Sequence, residues 1–121
     1  MSHLVTISTQ VRDAEAVKAA CKRLNLAAPV KGTVKMFDGH SVTGWQVNLP
    51  NWRYPVVCDT DAGAVHYDNY RGNWGDQSHL DRFMQAYAAS KATIEAKRKG
   101  YRVSESSRPD GSIKLTIQVG A

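Results

Sequence analysis

Residues 66–76 read HYDNYRGNWGD, a run that packs His66, two tyrosines, Arg71, Trp74, two asparagines and two aspartates around two glycines. Upstream stands a second cluster, Trp52-Arg53-Tyr54. Arginine interleaved with aromatic rings in loops suits stacking on bases, sugars or the anchor side chains of a protein partner. The candidate binding residues are therefore Trp52, Arg53, Tyr54, Tyr70, Arg71, Asn73 and Trp74. The competing reading makes Trp45, Tyr67 and Trp74 core or near-core rings whose polar tips are hydrogen-bonded. Arg71 to Gly75 also lies just before a helix, whose N-terminus could hold a phosphate or carboxylate. A third set, Lys97, Arg98, Lys99 and Arg102, reads either as a solvated helix C-terminus or as an anion-facing patch.

Other chemistry finds less support. His3, His40, His66 and His79 are dispersed, with no helical zinc pair and no H-E-x-x-H motif. His66, Asp59 and Cys58 could converge if their strands pair across the loop Thr60–Gly63, although residues across a hairpin are usually just solvated. Asp59, Asp61 and Gly63 echo the start of a calcium loop but lack its later ligands, so a plain turn is expected. There is no phosphate-binding glycine loop, no G-x-S-x-G and no carboxylate pair at acid–base spacing. Cys21 and Cys58 read as small buried hydrophobes. No catalytic residue, metal ligand or cofactor is assigned, and the balance leans away from an enzyme.

The chain has 121 residues, 42% hydrophobic and 22% charged, with a net charge of +5. These values suit one domain, 1–121, with an ordinary core. Its basic balance favours anionic partners without naming one. No apolar run is long enough to span a bilayer and no leader pattern precedes the first strand, so a cytoplasmic location without a membrane is expected.

The elements that must position these residues follow from periodicity. His3 to Val11 alternates as a strand, with Val5, Ile7, Thr9 and Val11 on one face. Asp13 offers an N-cap to a helix striped by Val17, Ala20, Cys21 and Leu24, and Asn25 stops it. A strand with Val30, Val34 and Met36 toward the core turns at Asp38-Gly39. It returns through Val42 to Leu49. Tyr54 to Thr60 is another strand, with Pro55 marking an edge or an entry position. Its return is Ala64 to Asn69. A long helix from about Ser78 to Lys99 carries Leu80, Phe83, Met84, Tyr87 and Ile94 and ends at Gly100. A final hairpin, Tyr101 to Ser106 and Ile113 to Val119, turns at Arg108–Gly111, where Gly111 supplies a positive φ. The expected fold is α+β, a twisted antiparallel sheet with two helices on one face, in the order β-α-β-β-β-β-α-β-β.

The strings SHLVTISTQVRDAEAVKAA, YDNYRGNWGDQSHLDRFMQAYAASKATIEAKRKGY and VSESSRPDGSIKLTIQV carry a family resemblance, with W-G-D, Q-A-Y-A and D-G-S-I-K-L as its motifs. On these the chain resembles an uncharacterised family of small bacterial and cyanobacterial proteins that includes a conserved hypothetical chloroplast reading frame. The resemblance covers essentially the whole chain. It implies a single intracellular domain and supplies no active residues. The leading expectation is a noncatalytic protein that binds another macromolecule, a protein partner or a second copy joined as a homodimer by strand addition. A nucleic-acid-binding module using Arg53, Arg71 and the Lys97–Arg102 cluster is the alternative, and an enzyme of unknown class is the second.

Overall fold

The computed structural model describes residues 4–110 and 112–119. His3, at the head of the expected first strand, and Gly111, in the last turn, lie outside the described residues. The elements are β1 (Val5–Ser8), α1 (Ala14–Arg23), β2 (Val30–Lys35), β3 (Ser41–Val47), β4 (Val56–Asp59), β5 (Ala64–Tyr67), α2 (Gln77–Arg98), β6 (Arg102–Ser107) and β7 (Ile113–Gln118). Their order is the one expected, and the class is α+β. The first five strands form one antiparallel sheet in the spatial order β1-β5-β4-β3-β2. β6 and β7 form a separate two-stranded sheet. At 22 residues, α2 is about 33 Å long, and it delivers the chain to the hairpin far from the loop where the helix began.

The core on the helix side joins Val17, Ala20 and Cys21 of α1 and Leu80, Phe83 and Tyr87 of α2 to Val47, Val56, Cys58 and Val65 of the sheet. β4 is central, with Val56, Val57 and Cys58 all buried. That placement settles Pro55 as the entry residue: a ring without an N–H stands just before the ladder, not on an edge.

The opposite face of the sheet is not flat. Met36, Val42 and Val57 form a second buried cluster, against which Leu4, Val34 and Tyr54 pack. Gly32 and Gly44 face each other directly across β2 and β3. A Cβ on Gly44 would stand 2.5 Å from the Cys58 carbonyl oxygen, so this close crossing requires glycine. Beyond that pair the hairpin leans over the helix-free face. At its tip, Asp38 is held below the usual carboxylate range by hydrogen bonds from His40, with the N–H of Leu4, just before β1, contributing. The two outer strands of the sheet thus approach each other around a small apolar seam. Val30, expected in the core, is 63% exposed. It precedes the bend on an edge strand, where neither cluster reaches it.

Polar contacts fix the helices. The Tyr87 hydroxyl accepts from the backbone N–H groups of Arg12 at 3.1 Å and Asp13 at 3.2 Å, anchoring the β1–α1 turn to α2. Asp13 Oδ1 accepts from the N–H groups of Glu15 and Ala16, and its Oδ2 meets Lys91 Nζ at 3.2 Å. Arg23 makes a two-pronged ion pair with Glu105 at 2.6 and 2.8 Å, tying α1 to β6.

Burial works against the Asp13 charge, but the Lys91 ammonium and the two N–H groups outweigh it and lower the pKa from 3.8. A lowered folded-state pKa stabilises the fold above the unfolded value, and this contribution is lost as pH falls through the folded value. Asp13→Asn keeps a capping acceptor and removes the charge. It is expected to cost up to about 1 kcal/mol at neutral pH. Chemical denaturation over a pH series should show the gap to wild type closing as the acid limb is descended.

Candidate functional site

Two loops meet at the end of the sheet, one spanning 50–55 and the other 68–76. In the first, Asn51 takes a left-handed conformation at φ 60° and Trp52 follows. The Trp52 ring lies against Gly75 so closely that a Cβ there would stand 2.4 Å from the indole. Its Nε1–H donates to the Asp76 carbonyl at 3.0 Å. The Arg53 N–H donates to the Trp74 carbonyl at 2.8 Å. These contacts bind the two loops into one unit.

The second loop is organised by Asn69, which is buried. Its carbonyl accepts from the N–H groups of Gly72 at 3.0 Å and Trp74 at 2.9 Å. Its Nδ2 donates to the Gly75 carbonyl at 3.2 Å and to Gln77 Oε1 at 3.4 Å. Asp68 Oδ1 accepts from the Tyr70 N–H at 3.1 Å. Tyr70, Arg71 and Gly72 take consecutive left-handed conformations, with φ of 48°, 53° and 95°. For the two that are not glycine this costs roughly 1–2 kcal/mol each, a strain the surrounding hydrogen bonds must hold.

The result is a cluster centred on Trp74. Tyr70 stacks on it at 4.8 Å between centroids and 23° between planes. Phe37, from the tip of the β2–β3 hairpin, meets it edge-on at 5.0 Å. Tyr54 is tilted against it at 5.8 Å, and the Arg53 guanidinium lies 4.7 Å from its centroid. Phe37 is 56% exposed, so the cluster opens to solvent. Four rings and one guanidinium with an apolar footing match the composition of protein-binding hot spots.

Of the residues proposed from sequence, Arg53, Tyr54, Tyr70 and Trp74 come together here. Trp52 sits beneath them as a support, half-buried against Gly75 and edge-on to Tyr67 at 5.9 Å. Asn73 is exposed and folds back on its own loop, its Nδ2 donating to the Tyr70 carbonyl at 2.8 Å. Arg71 is exposed at the rim of a neighbouring pocket of about 430 Å³, which Tyr67, Asp68 and Gln77 also line. Asp68 is 1% exposed, and its Oδ2 has no hydrogen-bond partner among the described residues. Sequence reasoning missed Phe37 and Asn69. An apolar residue immediately before a tight Asp-Gly turn was the only signal for Phe37.

The basic cluster stands apart. Lys97, Arg98 and Lys99 end α2, whose other end abuts the aromatic loops. Arg98 pairs with Glu15 at 2.8 Å, and Gly100 ends the helix at φ 78° as expected. At the start of α2, Asp76 accepts from the Ser78 N–H at 2.9 Å and that bond lowers its pKa. The chain's own carboxylate therefore already stands at the N-terminus proposed for an anion.

The strands separate the remaining chemical groups. Cys58 pairs with Val65, and its neighbour Val57 with His66. Cys58 faces the helices while His66 faces the other way, with Nδ1 2.8 Å from Thr6 Oγ1. Burial, with Cys21 nearby, pushes the Cys58 thiol up to about 12. Asp59 Oδ1 accepts from the Ala62 N–H at 3.2 Å, which makes the calcium-like segment a turn. Among the described residues no group of three His, Cys, Asp or Glu side chains is placed to hold a metal ion, and no helix is long and apolar enough to cross a membrane.

No family model, curated protein or solved structure matches the chain. The geometry of the two loops carries the functional reading.

Gly75→Ala tests how the cluster is built. The added methyl must displace Trp52, at an expected cost of about 1–3 kcal/mol. The near-ultraviolet circular dichroism of the aromatic rings should weaken along with the melting temperature. An unchanged aromatic spectrum would show that the two loops do not depend on this contact.

Proposed function

We propose that this is a small noncatalytic cytoplasmic protein that binds another protein through the cluster of Phe37, Arg53, Tyr54, Tyr70 and Trp74. The observation that carries the reading is the exposed Phe37 edge-on to Trp74, with Tyr70, Tyr54 and Arg53 packed around the same indole. The loops that carry Arg53 and Trp74 are joined by the Arg53 N–H to the Trp74 carbonyl and by the Trp52 indole N–H to the Asp76 carbonyl, which limits the conformational entropy left to lose when a partner arrives.

Two features favour a different polypeptide over the alternatives. A nucleic-acid strand across these loops would need phosphate contacts beyond those Arg53 and Arg71 can offer. The Lys97–Arg102 group is about 30 Å away along α2, and Arg98 is engaged by Glu15. Strand addition by a second copy at β2 would bring Lys31 and Lys35 of one copy near the same lysines of the other, an arrangement that discourages edge pairing.

Phe37→Ala removes exposed surface and should shift folding stability by no more than about 0.5 kcal/mol. Against a partner first captured from the native cell, identified and purified, it should weaken binding at least about tenfold. Arg53→Ala should do the same by calorimetry. Full affinity in both variants would remove this surface from consideration, as would a captured ligand that proved to be nucleic acid alone.

A further inference from the structure

A second surface lies on the other side of the β2–β3 bend. Lys31 pairs directly with Trp45, Thr33 with Thr43, and Lys35 with Ser41, so these side chains share the sheet face that carries Trp45. The helices cover only part of that face. Lys31, Thr33, Lys35, Ser41 and Thr43 are all exposed. The two threonine hydroxyls lie 2.8 Å apart. From α1, Lys18 reaches the same place: its ammonium is 4.6 Å from the Trp45 centroid, and that of Lys31 is 6.0 Å away. Lys22, one helical turn on, extends the row on the same side of α1.

None of Lys18, Lys22, Lys31 and Lys35 makes an ion pair among the described residues. Arg23, Lys91 and Arg98 elsewhere are each engaged by carboxylates. Three carboxylates border the row, and none of them pairs with its lysines among the described residues. Glu15 is held by Arg98. Asp59 caps its own turn through the Ala62 N–H, and Asp61 shares with it and Lys31 the rim of a shallow hollow. Two elements thus bring two unneutralised ammonium groups onto one indole, with two more continuing the line along a helix and a strand. Like charges gathered in this way repel one another, and an anionic ligand relieves that repulsion.

We propose that Lys18, Lys22, Lys31 and Lys35, with the hydroxyls of Thr33 and Thr43, form a binding surface for the sugar-phosphate backbone of nucleic acid. Phosphates spaced a few ångströms apart along a strand match a line of separate ammonium groups better than a single small anion does. The face offers Lys31, Thr33, Lys35, Ser41 and Thr43 and no exposed large apolar side chain to insert into a lipid surface. Lys18 covers the Trp45 ring, so base stacking has no part here and the contact is independent of sequence. This surface is separate from the aromatic cluster and does not rest on it.

The test is fluorescence anisotropy of a short labelled DNA duplex and of its single strand, titrated with the whole chain between roughly 50 and 200 mM salt. Four phosphate contacts predict a log–log slope with salt of about −3 to −4 on the duplex. Lys18→Gln and Lys31→Gln, both at exposed positions, should each make the slope shallower by about 0.9 while leaving the melting temperature in place. Lys97→Gln and Lys99→Gln serve as charge-matched controls and should leave less than half that effect. Absence of binding at the lowest salt overturns the proposal. Equal losses in the controls overturn it too, since they would mean that net charge alone attracts the DNA. Binding to vesicles of acidic phospholipid through the same lysines, without DNA binding, would assign the surface to a membrane instead.

Discussion

The contact between the Trp52 indole and the backbone of Gly75 is the constraint on which the aromatic surface depends. Without a Cβ at 75, the indole settles against the second loop and its Nε1–H reaches the Asp76 carbonyl. Arg53 then stands where its N–H meets the Trp74 carbonyl, and its guanidinium lies over the Trp74 ring. The same contact leads directly into α2, because Asp76 is both the acceptor for Trp52 and the residue that caps the helix. A local packing requirement thus sets the geometry of the surface and the start of the longest element together.

A second constraint works at the scale of the sheet. Gly44 admits the close approach of the Cys58 carbonyl, and beyond it the β2–β3 hairpin packs onto the helix-free face. One consequence is the small apolar seam of Met36, Val42 and Val57, which buries a face that a flat sheet would leave to water. Another is that Phe37, at the hairpin tip, is carried to Trp74. The bend also turns the other side of the hairpin outward, where Lys31, Thr33 and Lys35 stand clear of the helices.

Much of the fold was legible because local rules and tertiary packing agree. Asp13 and Asp76 cap the helices, Gly63 and Gly100 take the positive φ their turns demand, and the apolar stripes of α1 and α2 face the sheet. What the sequence did not disclose is long-range. Gly32 suggests a weakened or bulged strand, but the close approach of the Cys58 carbonyl to Gly44 follows only from how the strands pair. Gly75 reads as a turn residue, whereas its function is to admit Trp52. Asn73 and Asn69 look alike in a polar loop, yet one closes on a neighbouring carbonyl and the other organises the whole segment. Arg53, Tyr54, Tyr70 and Trp74 were found from their types alone. Phe37 was not, because its partner lies far along the chain.

The claim that the two loops form one rigid unit is most directly tested by amide hydrogen exchange at Arg53 and Trp74. Arg53 donates to the Trp74 carbonyl and Trp74 to the Asn69 carbonyl. If the loops are locked, both amides should exchange at least about a hundredfold more slowly than unstructured ones, and together, as members of one cooperative unit. Exchange at the rate of an open loop, or protection of Trp74 without Arg53, would contradict the account. It would show that Trp52 and Gly75 meet without holding the surface in place.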